Sequence, residues 1–369
     1  MGKGNRSSTI LHIPVELLSE ILLILVETYP IVDRNSVLPL LGSVCRQWRE
    51  TALSLPRLWA FIVFRGTRSQ PSPGPKAKHR MRLLLERSRS APLDIIYHLD
   101  SAVNSASHMA SFQKLIVPHL SCCRTLHISL NSMEQLQSIM PLPKSLDMLR
   151  WFNLDIRTKN PPNSPTPPTL LFEPGNNARL QHLRIVSTWT PFSTDNISSQ
   201  ALQNLTYSPP SATPYTDTVI EWLEKAPALK ECIVTASTVP LGKPADLPDL
   251  RFLRITTVDP FKIFCAANLV RLDWTIPPLG ISTDTDLVQA GRELPNLRHL
   301  SISSLALGEL ALILPFIREV TELVHLRVYK WVWTDVLGII EALTIRGSRI
   351  PSKYMYIEPL LTNYPPSRT

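Results

Sequence analysis

The sequence predicts an α/β chain in two styles: a short helical module at the N-terminus, then a solenoid of parallel strands with partly helical return paths. Three observations carry this. Residues 10–64 place apolar side chains at helical spacing. Beyond residue 120 the phrase Leu-x-x-Leu-x-apolar recurs at intervals of a few tens of residues. The 369 residues hold 34 prolines against 12 glycines, roughly twice and half the usual frequencies, which marks many short elements joined by stiff connectors. With 56 leucines and only 18% charged residues, the chain is not intrinsically disordered.

The expected order is a polar tail (1–9), the helical module (10–64), a basic proline-containing connector with its own helix (65–92), the repeat array (93–345), and a weak cap with a disordered tail (346–369). In the module, Pro14 suits a first helical turn, where its missing N–H costs nothing, and Glu16 and Glu20 favour the positive end of the helix. Leu17, Leu18, Ile21, Leu22 and Leu25 share one face, and Leu23, Ile24 and Val26 cover much of the rest. A helix apolar nearly all round has to be covered on more than one side. A second helix is expected over Ser36–Ala52, carrying Leu40, Leu41, Val44, Cys45 and Trp48, and a third short element carries Leu55, Leu58 and Trp59. Three helices in so few residues sit near the lower limit for a self-sufficient core. The surplus apolar surface docks either on the rest of the chain or on another protein.

Three ordered submotifs stand in this module: Ile13-Pro14-Val15-Glu16-Leu17-Leu18, then Val44-Cys45-Arg46-Gln47-Trp48-Arg49, then Pro56-Arg57-Leu58-Trp59. Together they resemble an F-box, and most of all the large F-box and leucine-rich set of mushroom-forming fungi. Ile13 stands where that family usually has leucine, and the loop Glu27–Asn35 is longer than in its shortest members. The resemblance implies a three-helix module that binds Skp1, and through it the cullin and RING subunits of an SCF ubiquitin ligase. It places Ile13, Pro14, Leu17, Leu18, Ile21, Leu22, Leu41, Val44 and Trp48 on the Skp1-facing surface. It also implies a non-catalytic adaptor, with ubiquitin transfer done by other subunits.

The connector contains Pro71-Ser-Pro-Gly-Pro75, then a segment Lys76–Arg89 in which Met81, Leu84, Leu85 and Ser88 form one face of an amphipathic helix. The array follows. Its copies are Cys123-Leu126-Ile128, Leu146-Leu149-Trp151, Leu180-Leu183-Ile185, Leu202-Leu205-Tyr207, Leu229-Cys232-Val234, Leu250-Leu253-Ile255, Leu269-Leu272-Trp274, Leu297-Leu300-Ile302 and Leu323-Leu326-Val328. Between central residues the steps are 23, 34, 22, 27, 21, 19, 28 and 26, mostly within or next to the range of leucine-rich repeats. The long step holds Lys159–Pro168, a proline-rich stretch that has to loop out. Helical returns are expected over Thr216–Lys225, Asp284–Glu293, Leu307–Glu319 and Thr334–Leu343, and a closing strand near Tyr354–Ile357. Of the positions where regular repeats carry a stacking asparagine, only Asn131 has one, so the solenoid is expected to be irregular.

Strand side chains alternate, so the outward positions follow from the frame. The candidates for binding a protein substrate on the concave face are Arg150, His182, Arg184, Phe252, Arg254, Arg271, His299, His325, Arg327 and Tyr329, with Phe152 in the next outward column. Guanidinium groups pair bidentately with carboxylate and phosphate, so such a face suits an acidic or phosphorylated peptide. An ordinary solvated strand face with a modest positive bias is the plain alternative.

The chain has no P-loop, G-x-G-x-x-G, H-E-x-x-H or G-x-S-x-G, and no cofactor or metal-ligand pattern. Its five cysteines include no C-x-x-C, which favours a reducing compartment, and Cys123 reads as a core residue. Met1–Thr9 lacks an apolar leader core, and Ile21–Val26 is too short to span a bilayer, so cytoplasm or nucleus is expected. The net charge of +8 suggests a nucleic-acid partner, yet Arg65–Arg89 alone carries eight Lys or Arg and one Glu, or +7. A basic-connector-driven nucleic-acid or nuclear adaptor, and an F-box scaffold that directs no degradation, stay open as alternatives.

Overall fold

The computed structural model describes residues 13–30, 33–66, 74–99, 105–157, 169–174, 179–187, 192–193, 199–208, 220, 222–235, 244–257, 259–276, 286–304, 310–331 and 355–359. The fold is α/β and solenoid-like, and every strand pairing described is parallel. The chain divides into two compact units, Met1–Lys159 with Phe172–Ala178, and Asn160–Leu171 with Arg179–Thr369. The division falls inside the expected repeat array rather than at the end of the helical module.

The first unit opens with helices α1 (Val15–Thr28), α2 (Arg34–Val44), α3 (Arg46–Ser54) and α4 (Pro56–Trp59). The single helix expected over Ser36–Ala52 is therefore two. Cys45 is fully extended, with φ −159° and ψ 174°. Its carbonyl accepts from the Arg49 backbone N–H, and the Arg49 side chain donates to the Gly42 carbonyl at 2.8 Å, which satisfies an end group of α2. The Gln47 amide ties α3 to the Ile13 carbonyl, and the Trp59 indole donates to Ala52 O at 2.8 Å.

Strand β1 (Phe61–Gly66) follows directly, then α5 (Pro75–Ser88), which buries Met81, Leu84, Leu85 and Ser88 as its periodicity requires. The ladder continues through β2 (Leu93–Leu99), α6 (Ser105–Leu115), a 3₁₀ turn at Val117–Cys122, β3 (Cys123–Leu130), α7 (Met133–Ile139) and β4 (Trp151–Ile156). Ile62, Ile95, Leu126 and Phe152 are in register across the four strands, all pointing into the core. Two strands thus precede the first leucine-frame copy. Register also corrects the second copy: the frame there is Leu149-Phe152-Leu154, not Leu146-Leu149-Trp151. Trp151 is exposed, and Phe152, expected outside, is buried against Phe172 at 5.5 Å. The Asn131 side-chain amide donates to the Leu99 carbonyl at the end of β2.

The second unit is a ladder of β6 (His182–Ser187), β8 (Asn204–Ser208), β9 (Glu231–Thr235), β11 (Phe252–Thr256), β13 (Arg271–Ile276), β14 (His299–Ser304), β15 (His325–Trp331) and β16 (Met355–Pro359). Short parallel pairs β5 (Thr169–Leu170) with β7 (Phe192–Ser193), and β10 (Ala245–Asp246) with β12 (Phe264–Cys265), accompany it. The central leucine-frame residues Leu183, Leu205, Cys232, Leu253, Leu272, Leu300 and Leu326 are Cα partners from strand to strand, and all are buried. The expected closing strand is β16, paired with β15 through Met355–Leu326. Return helices α8 (Leu287–Arg292) and α9 (Leu310–Glu319) fall where periodicity places them, and residues 220 and 222–224 are helical. The expected helix over 334–343 and the loop 159–168 lie outside the described residues. At Gly291 a Cβ would stand 2.8 Å from the Phe316 carbonyl oxygen, so only glycine permits this approach of α8 to α9.

Candidate protein-interaction surfaces

The helices of the first unit cover only part of their apolar surface. On α1, Leu18 and Leu22 are fully buried with Val26. Leu17 (59% exposed), Ile21 and Ile24 (58%), four and three residues apart, form an outward stripe at helical spacing, with Val15 beside it. On α2, Leu41 is buried while Leu40 (62%) and Val44 (55%) point outward, four residues apart.

Of the nine expected docking residues, the structure thus turns Leu18, Leu22 and Leu41 into the core. This is a correction with a simple cause: α1 and α2 need an inner seam, and these three supply it. Pro14, Leu17, Ile21 and Val44 are exposed, and Ile13 and Trp48 are half-buried. Val15, Ile24 and Leu40 were not among the expected residues, although the spacing Leu17-Ile21-Ile24 and Leu40-Val44 in the sequence already marked the last two.

The outward face of the second ladder gathers the expected strand residues. His182, Arg184, Phe252, Arg254, Arg271, His299, His325, Arg327 and Tyr329 all occupy outward positions of β6, β11, β13, β14 and β15, and the arginines are exposed. Arg150 does not join them. It belongs to the first unit, precedes β4, and donates to the Asp147 carbonyl at 2.8 Å; the outward positions of β4 are held by Trp151 and Asn153.

The centre of this face is a shared carboxylate. Asp273 accepts from Arg271 Nε and Nη2 at 3.0 and 2.9 Å, and from Arg254 Nε and Nη2 at 3.2 and 3.0 Å. The Phe252 ring lies beneath both guanidinium groups, with centroid distances of 5.7 and 5.0 Å. Burial raises the Asp273 carboxyl, but the hydrogen bonds from Arg271 and Arg254, the Arg271 charge and a Ser301 hydrogen bond outweigh it and hold the group below its ordinary value. One carboxylate thus neutralises two guanidinium groups only in part. Further along, Asn204 donates to Glu231, and burial holds His182 below its ordinary value against the opposing charge of Glu231.

The first ladder is arranged differently. Arg124 is paired bidentately with Asp94 at 3.1 and 2.6 Å, and Arg157 with Asp155 at 2.8–3.1 Å, one acid for each arginine. Cys123 and Cys232 are core thiols; burial pushes Cys232 up to about 12 and Cys123 up as well. Among the described residues no cluster of three His, Cys, Asp or Glu is arranged to hold a metal ion, and no helix is long and apolar enough to cross a membrane.

The fold and these two surfaces define a class: a solenoid-like α/β chain with an open apolar helical face and a basic strand face. No protein-family model and no curated protein matches the chain.

Proposed function

We propose that this chain is the substrate-recognition subunit of an SCF-type ubiquitin ligase, working in the cytoplasm or nucleus. Its F-box module docks on Skp1, and through it on the cullin and RING subunits. The strands and helical returns after it are irregular leucine-rich repeats whose strand face binds a protein substrate carrying acidic or phosphorylated groups. The chain itself is a non-catalytic adaptor without a cofactor, and ubiquitin transfer belongs to its partners.

The observation that supports this reading best is the apolar stripe Leu17, Ile21 and Ile24 on α1, with Leu40 and Val44 exposed on α2, in the segment whose motifs resemble an F-box. Large apolar side chains left open at successive turns of one helix face mark an interaction surface. A few of its residues would act as hot spots at about 2 kcal/mol or more each. Leu17→Asp combined with Ile21→Asp, both on the solvent side, is expected to abolish co-purification of Skp1 while leaving the circular dichroism and melting temperature unchanged. Undiminished Skp1 recovery with the double variant overturns the assignment.

A second reading rests on α5, which exposes Lys76, His79, Arg80 and Arg82 opposite its buried seam. It makes the chain a nucleic-acid or nuclear adaptor, with binding that weakens steeply as salt rises. Part of this charge is already engaged: Arg80 donates to the Asn35 carbonyl, and Arg87 stacks over Trp59 at 4.5 Å. A scaffold that binds Skp1 without directing degradation is separated from the main reading by following substrate abundance with the proteasome inhibited.

A further inference from the structure

On the outward face of the second ladder, His299 and His325 are Cα partners on adjacent strands, with ring centroids 4.6 Å apart and planes inclined by 11°. A proton on His299 would set its charge directly against the stacked His325 ring and the arginines around it, which disfavours it.

The surroundings of the pair are cationic. Arg271 is the Cα partner of His299 on β13, Arg298 precedes His299, and Arg327 lies two residues beyond His325 on the same face of β15. Arg254 stands across Asp273 from Arg271. An acid that acts on His299 is Asp273, already gripped by both arginines, and register sets Glu358 of β16 beside Tyr329. Ser301 lies between Asp273 and Arg327 in the same row, and Arg327 donates to the Tyr329 hydroxyl at 3.3 Å.

We propose that Arg271, His299, His325 and Arg327 receive a tetrahedral dianion of the phosphate-ester class, and that His299, stacked on His325, takes up a proton as the anion binds. The proposal rests on the strand face being a ligand surface and names the group it recognises. Donors arriving from three neighbouring strands, spaced about 4.8 Å apart, surround a charge from several directions. A carboxylate offers two oxygens in one plane, whereas a phosphoryl group offers three and about −2 charge at pH 7. Burial, then the charges of His325, Arg271 and Arg298, hold His299 below its ordinary value, with Asp273 acting the other way. A bound dianion offsets those cationic charges and lets the proton in. Affinity therefore rises as pH falls through the histidine range.

Sulfate is the cleanest probe, because it keeps both charges where a phosphate ester loses one near pH 6. The purified full-length chain is titrated with sulfate, O-phosphoserine and acetate at about pH 6 and about pH 7.5, following the imidazole C–H resonances and, by calorimetry in two buffers, the protons taken up. Sulfate is expected to bind at least fivefold more tightly at the lower pH, within the limit of about tenfold per pH unit for one linked proton, with O-phosphoserine bound and acetate far weaker. His299→Asn with His325→Asn removes the pH dependence without changing the melting temperature, and Arg271→Gln weakens sulfate at both pH values. Equal sulfate affinity at both pH values, a pH dependence that survives in the double Asn variant, or acetate binding as tightly as sulfate overturns the proposal. The probes are ions and the readout is on the second ladder, so this result is independent of Skp1 capture by the helical module.

Discussion

The helical module and the second ladder are built from the same apolar residue types and dispose of them in opposite ways. Along β13 the side chains alternate without exception: Leu272, Trp274 and Ile276 are buried, while Arg271, Asp273 and Thr275 face outward. Along α1, adjacent leucines part company, Leu18 fully buried and Leu17 largely exposed. A strand in a parallel ladder has neighbours on both edges and a return segment over its inner face, so its apolar half is closed by the chain itself. Four short helices have no comparable cover for an all-round apolar surface, and part of it stays open. The lesson is that apolar content shows how much surface seeks cover, while the number of neighbours shows whether the chain provides it.

The comparison breaks most visibly if the ladder core is soft. Trp274 is wholly buried, edge-on to Phe261, and its indole donates to the Thr257 carbonyl at 3.0 Å. Trp274→Ala is expected to destabilise the second unit by about 3–5 kcal/mol, read as a shift of the urea midpoint. A shift below a third of that range would mean the return side repacks freely.

The pair Leu17 and Leu18 sharpens it within one helix. Leu18→Ala should cost about 2–5 kcal/mol of stability, and Leu17→Ala no more than about 0.5 kcal/mol. Equal costs in thermal melts would remove the distinction between the inner seam and the open face.

The smallest effect concerns charge. Because Asp273 is held below its ordinary value in the folded chain, its ionised form contributes stability that is fully present above the unfolded carboxylate range. That contribution fades as pH falls through and below about 3.8. The exposed arginines limit it to less than about 1 kcal/mol. Asp273→Asn should flatten this part of the acid limb in urea titrations between about pH 5 and pH 3. In the first ladder, where Asp94 serves one arginine, no matching change is expected from Asp273→Asn.

Much of the ladder was legible in the sequence because its signal repeats. Seven frames from Leu183 to Leu326 fall in register as written, and the helix over 75–88 buries the face its spacing marked. The failures are local and have causes. At residues 146–154 two frames three residues apart both place apolar residues at the right spacing, and only pairing with β3 selects Phe152 over Trp151 for the core. The run Phe61-Ile-Val-Phe64 has no alternation, so it gave no strand signal, and β1 is defined by its partner β2. Ser36–Ala52 does contain Pro39 and Gly42, yet both lie inside α2 and neither stands at the break, Cys45; the extended residue is held by Arg49 reaching the end of α2.

On the candidate surfaces, the residue types were set by sequence and their sorting was not. A period of two is a property of the strand backbone, so alternation by itself determined which residues of the second ladder face outward, the arginines and histidines among them. Which leucines of the helices remain open, that Asp273 is shared by two arginines, and that His299 stacks on His325 depend on residues 19 to 26 positions apart meeting across strands or helices. Only the tertiary structure decides those encounters, because they are fixed by register and by competition for cover rather than by local spacing.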